Sequence, residues 1–165
     1  MRRCFLVLAL FVSGWALAGP GDDIWKALMD SPPSPRESKA HDEALGALDK
    51  WLETPNSEQL PETVAYYRQA VDRVIRLLQT ERPKKGVRAF QLYSSSVIVQ
   101  TPSCVFAIDL DQGPNEDLHK TPEEEGVAFC MTDAQVNALA DLIDYSFHTH
   151  EHADHVHGVE LLARH

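Results

Sequence analysis

The chain has 165 residues, with 15 basic and 25 acidic side chains and a formal net charge of −10. That balance excludes a nucleic-acid binder working by electrostatics, and it sets solubility rather than chemistry.

Residues 1–18 open with Arg2 and Arg3, run through an apolar stretch and end on Ala16-Leu17-Ala18, the three regions of a secretory signal peptide. The stretch is broken by Ser13 and Gly14 and is shorter than the roughly 20 apolar residues of a spanning helix. The expectation is export to a bacterial periplasm or beyond, with no membrane attachment after cleavage. Because Arg2 and Arg3 are the only charges removed, the mature chain from Gly19 carries 13 basic against 25 acidic side chains. Cys104 and Cys130 survive cleavage and, in an oxidising compartment, either form a disulfide or remain two buried thiols.

Residues 19–84 read as a helical region. A short helix over 22–30 is followed by Ser31-Pro32-Pro33-Ser34-Pro35, whose prolines forbid a continuous helix. Ser38 caps a second helix through Glu53, with Ala44, Leu45, Leu48, Trp51 and Leu52 on one stripe. Pro61 opens a third, in which Val64, Tyr67, Val71, Val74, Ile75 and Leu78 recur at helical spacing. The second and third helices are expected to form an antiparallel hairpin, with Trp51 and Tyr67 as packing residues. Arg82-Pro83-Lys84-Lys85-Gly86 punctuates the chain and places a boundary near residue 85.

Beyond it the period changes to two. Residues 87–93 alternate, Ser94-Ser95-Ser96 turns, and residues 97–100 continue as a more buried strand. Thr101-Pro102-Ser103 leads into a strand over 104–109 that ends on Asp109, with Asp111 close by. The long segment 112–130, acidic at Glu123-Glu124-Glu125, reads as a surface loop. Thr132 and Gln135 make a capping box for a short helix to Asp141, and the apolar alternation Ile143, Tyr145, Phe147 marks a last strand over 143–148.

That strand delivers Thr149-His150-Glu151-His152-Ala153-Asp154-His155. Six of the eight histidines lie in the last eighteen residues. Imidazoles with a carboxylate and no nearby thiolate favour zinc, with iron, manganese or nickel as alternatives. Were the segment extended, His148, His150, His152 and Asp154 would share one face and His155 would turn to the other. His148, His157 and His165 read as surface or loop residues rather than ligands.

The pattern HxHxDH after an alternating strand resembles the signature of the metallo-β-lactamase superfamily, with His157 before Gly158 where that family commonly has a glycine pair. The resemblance covers residues 85–165 and leaves 22–82 outside. It implies an α+β chain: an N-terminal helical hairpin, then the first half of an αβ/βα sandwich. It further implies that His150 and His152 bind one zinc ion and Asp154 and His155 a second. Two ions about 3.5–4 Å apart share and acidify a water, and Asp154 orients it or accepts its proton. Asp109 matches the family's acidic residue that supports the metal loop from behind, against the plainer reading of a solvated strand-end carboxylate. The implied activity is hydrolysis of an ester, lactone, amide or related bond in a small molecule. Because the family's remaining ligands come from a later half of the domain, the chain is expected to be incomplete and inactive by itself, and its half-sandwich to be prone to self-association. A different class remains open: an exported, non-catalytic protein whose histidine-rich tail captures metal.

Overall fold

The computed structural model describes residues 19–32, 36–55, 57, 60–111, 113, 130–152, 155, 156, 158 and 163. The expected signal peptide, the acidic run Glu123–Glu125, and Asp154, His157 and His165 lie outside the described residues. Within them the chain is α+β, with four helices and a four-stranded mixed sheet.

Helix α1 (Pro20–Asp30) starts where Pro20 presets the first helical turn and Asp22 accepts a hydrogen bond from the Gly19 backbone N–H at 3.2 Å. Helix α2 (Lys39–Leu52) is capped by Ser38, whose hydroxyl accepts from the His41 N–H. Helix α3 (Pro61–Thr80) buries Tyr67, Val71, Val74, Ile75 and Leu78 along one face, as their spacing predicts. The expected α2–α3 hairpin takes a different form. Helix α1 packs against both others, and α2 reaches α3 through Trp51, whose ring meets Tyr66 edge-on at 5.6 Å. Trp51 approaches so closely because position 21 is glycine: a Cβ there would lie 2.9 Å from the indole. The predicted α2 stripe is correspondingly shallow, with Ala44 buried but Leu45 and Leu52 exposed.

Strands β1 (Arg88–Gln91), β2 (Val97–Gln100) and β3 (Val105–Ile108) form an antiparallel meander. Helix α4 (Asp133–Leu142), opened by the Thr132–Gln135 capping box, then leads to β4 (Tyr145–Phe147), which pairs parallel with β3. The hydrophobic core crosses residue 85. Tyr67, Val71, Val74, Ile75 and Leu78 of α3 pack with Ile98, Val105 and Ala107 of the sheet and with Val136 and Leu139 of α4. Polar ties reinforce the contact: Gln100 Nε2 donates to Leu78 O at 3.2 Å, Arg68 donates to Cys130 O at 2.6 Å, and Gln135 Nε2 donates to Asp72 at 2.7 Å.

The register assigns the two faces of the sheet. Phe90, Ile98, Ala107 and Ser146 form a row beneath the helices, while Val99, Phe106 and Tyr145, with Val97, Ile108 and Phe147, form rows on the opposite face. The alternation that marks β4 therefore points outward, leaving Tyr145 62% and Phe147 54% exposed. Cys104 and Cys130 are free thiols. No helix among the described residues is long and apolar enough to cross a membrane.

Candidate metal centre

Parallel pairing brings the carboxyl ends of β3 and β4 side by side, the place where loops of such sheets gather ligand-binding groups. Ile108 pairs with Phe147, and the Asp109 N–H donates to Phe147 O at 2.9 Å. The β1–β2 turn reaches the same end, because Val97 pairs with Ile108 and so sets Ser96 opposite Asp109.

Asp109 has φ 47, in the left-handed region that non-glycine residues seldom adopt and that costs on the order of 1–3 kcal/mol where it is imposed. Ser96 holds it there. Its fully buried hydroxyl donates to Asp109 O at 2.8 Å and accepts from the Asp111 N–H at 2.7 Å. The bend turns the Asp109 carboxylate toward the histidine loop. Oδ1 accepts the Thr149 N–H at 2.7 Å; Oδ2 accepts the Thr149 hydroxyl at 2.7 Å and His155 Nδ1 at 2.9 Å. Burial pushes this carboxyl up, but the bonds from the Thr149 N–H, His155 and the Thr149 hydroxyl, with the charge of His155, outweigh it and bring it down to about 2.

An ionised carboxylate accepts only, so His155 Nδ1 must carry the hydrogen of that bond. The Thr149 hydroxyl spends its one hydrogen on Asp109, so it accepts from His150 Nδ1 at 3.0 Å. In the neutral form both rings are thereby set in the tautomer whose lone pair lies on Nε2. The His150 ring centroid is 4.4 Å from that of His152 and 3.9 Å from that of His155. His148 plays a structural part, its Nδ1 donating to His155 O at 2.8 Å. Glycine at 158 has a steric reason as well: a Cβ there would collide with the Leu110 carbonyl.

The expected extended alternation does not survive. The strand stops at Phe147, the chain bends over 149–151, and the His155 N–H donates to His152 O. His155 consequently returns to His150 instead of facing away. His150, His152, His155 and Asp109 are brought together, whereas Asp154 lies outside the described residues. Among the described residues no group of three or more His, Cys, Asp or Glu side chains converges as a metal-holding set. The imidazole donors and the carboxylate behind them nevertheless have the chemistry zinc takes.

No family model, curated protein or solved structure matches this chain.

Sequence reasoning did not find Ser95 and Ser96. Ser95 Oγ lies 3.2 Å from His155 Nδ1, sixty positions along the chain. The triple serine signalled only a turn, and nothing local tells which distant loop a turn will meet.

Proposed function

We propose that the loop after β4 is the metal site of a zinc-dependent hydrolase of the metallo-β-lactamase kind, built on the first half of that sandwich. His150 and His152 would hold one ion, and Asp154 and His155 a second. One observation carries this reading: the Asp109 carboxylate grips Thr149 and His155 together. Metal-binding histidines commonly donate their second ring N–H to a carboxylate, which orients the ring and strengthens the donor nitrogen. The Asp109–His155 pair has that form, and the Asp109–Thr149–His150 chain extends it to a second ring.

Zinc, when bound, supplies Lewis acidity and makes water more acidic. The chain's own residues do the rest. Asp109 stays ionised above about pH 2 and accepts from His155 Nδ1, which in the neutral ring places the lone pair on Nε2. Thr149 relays the same constraint to His150. Asp154, assigned by the motif, would accept a proton from the attacking water. The substrate would be a small molecule with an ester, lactone, amide or related bond, met outside the cytoplasm if residues 1–18 direct export.

The test is zinc titration of the full chain beside hydrolysis of p-nitrophenyl esters, lactones and a chromogenic β-lactam. Zinc uptake by the chain is the expected result, and any turnover is expected to be abolished by Asp154→Ala. Turnover surviving Asp154→Ala, or no zinc uptake at all, would sink the assignment. The exposure of His150 and His152 favours one second reading, an exported protein that captures metal without catalysis. Tight zinc binding that tolerates Asp154→Ala, with no hydrolysis of any substrate, selects it.

A further inference from the structure

The helices cover the sheet unevenly, and the gap lies at its β1 edge. Arg88 and Phe90 sit in the rows that face the helices, opposite Gln100 and Ile98, yet both remain only half-buried. Between them and α1, α2 and α3 runs a groove of about 640 Å³. That volume is typical of small-molecule sites. Leu28, Met29, Leu77 and Phe90 supply apolar walls, while Arg73, Arg88, His41 and Glu81 supply polar groups.

Arg88 is the group left unfinished. Its Nη2 donates to Glu81 at 3.0 Å, and its Cζ lies 6.0 Å from the Phe90 ring centroid, a contact that holds the guanidinium over an apolar surface. Its Nη1 is buried and, among the described residues, has no hydrogen-bond partner. Buried polar groups are nearly always satisfied, and a charged donor left without an acceptor is among the costliest exceptions. Arg88 lines the groove, so an acceptor bound there would lie beside its guanidinium. Glu81 neutralises one of the two arginines, so the lining keeps a local positive excess on a chain of net charge −10. His41 is committed elsewhere on one side, its Nδ1 donating to Ser31 O at 2.6 Å.

We propose that this groove binds a small amphipathic carboxylate, with its head on Arg88 and Arg73 and its aliphatic body along Leu28, Met29 and Leu77. A planar guanidinium fork matches a carboxylate, and one net positive charge beside Glu81 suits a monoanion better than a dianion. The site shares no residue with the histidine loop and does not depend on metal there.

The test titrates decanoate into the full chain, followed by calorimetry and by amide chemical shifts, with decanol and decyl phosphate in parallel. Saturable decanoate binding should shift the Leu28, Arg88 and Phe90 resonances, with decanol at least tenfold weaker. Arg88→Gln should weaken decanoate at least tenfold and leave decanol unchanged. Leu28→Trp, which fills the groove from α1 without touching the arginines, should also cut decanoate binding with the melting temperature retained, and it serves if Arg88→Gln fails to fold. Equal binding of decanol and decanoate, or an unaffected Arg88→Gln, overturns the proposal. So does tighter binding of decyl phosphate, or the absence of saturable shifts at those residues.

Discussion

Asp109 and Thr149, forty positions apart, are joined by two hydrogen bonds of 2.7 Å, one from the Thr149 backbone and one from its hydroxyl. The pairing needs both the parallel register of β3 with β4 and the left-handed backbone of Asp109. Asparagine at 109 keeps the size but lacks the charge that holds His155 Nδ1. Asp109→Asn is expected to weaken zinc binding by about 10–100-fold, as loss of a carboxylate behind a metal-binding histidine commonly does. Competition with a chromogenic chelator reads this directly, and unchanged affinity would remove Asp109 from the site.

The same carboxyl predicts an acid limb of stability. Its value in the fold, about 2, lies below the ordinary 3.8. A depressed folded value contributes stability that is complete above the unfolded value and is lost as pH falls through the folded one. The stability gap between the parent chain and Asp109→Asn should therefore be present above about pH 4 and shrink as pH falls toward about 2. Urea unfolding at stepped pH measures it, and a gap that widens as pH falls below about 4 would contradict the hydrogen-bond account.

Ser96 is fully buried and serves two backbone groups at once. Ser96→Ala removes the partner of Asp109 O and of the Asp111 N–H with almost no change of volume. The expected cost is about 1–3 kcal/mol, the penalty of unsatisfied buried groups. Thermal unfolding checks it, and a loss under about 0.5 kcal/mol would mean that water replaces the hydroxyl.

Ile98 of β2 and Leu78 of α3 belong to one core on either side of residue 85. Each truncation to Ala should cost about 2–5 kcal/mol, and both should act on a single unfolding transition. Leu45→Ala, on the exposed part of α2, should change stability by less than about 0.5 kcal/mol. Two separate transitions, only one of which responds to Leu78→Ala, would show that α3 and the sheet do not unfold together.

Cys130 is buried, and burial pushes its thiol up to about 11 despite the lowering effect of Arg68. Since the thiolate is the reactive form, iodoacetamide near pH 8 should label Cys104 well before Cys130, with Cys130 reacting only on unfolding. Mass spectrometry of timed digests follows this, and equal rates would show that Cys130 is reached from solvent.

The sequence by itself determined the local elements, because their signals lie within a few residues. The spacing of Tyr67, Val71, Val74 and Leu78 made α3 a one-faced helix, the Thr132–Gln135 box opened α4, and alternation about a serine turn made the β1–β2 hairpin. The histidine string stood out by residue type and order, and Asp109 only through the resemblance that string carries. Tertiary structure alone decided what those elements meet. It put the α3 stripe onto the sheet across an expected boundary, turned Tyr145 and Phe147 outward, and brought His155 back to His150. The physical reason is range. Periodicity and capping act over one or two turns, whereas the Ser96–Asp109–Thr149–His155 chain exists only once strand register has brought three separate stretches of backbone to the same end of one sheet.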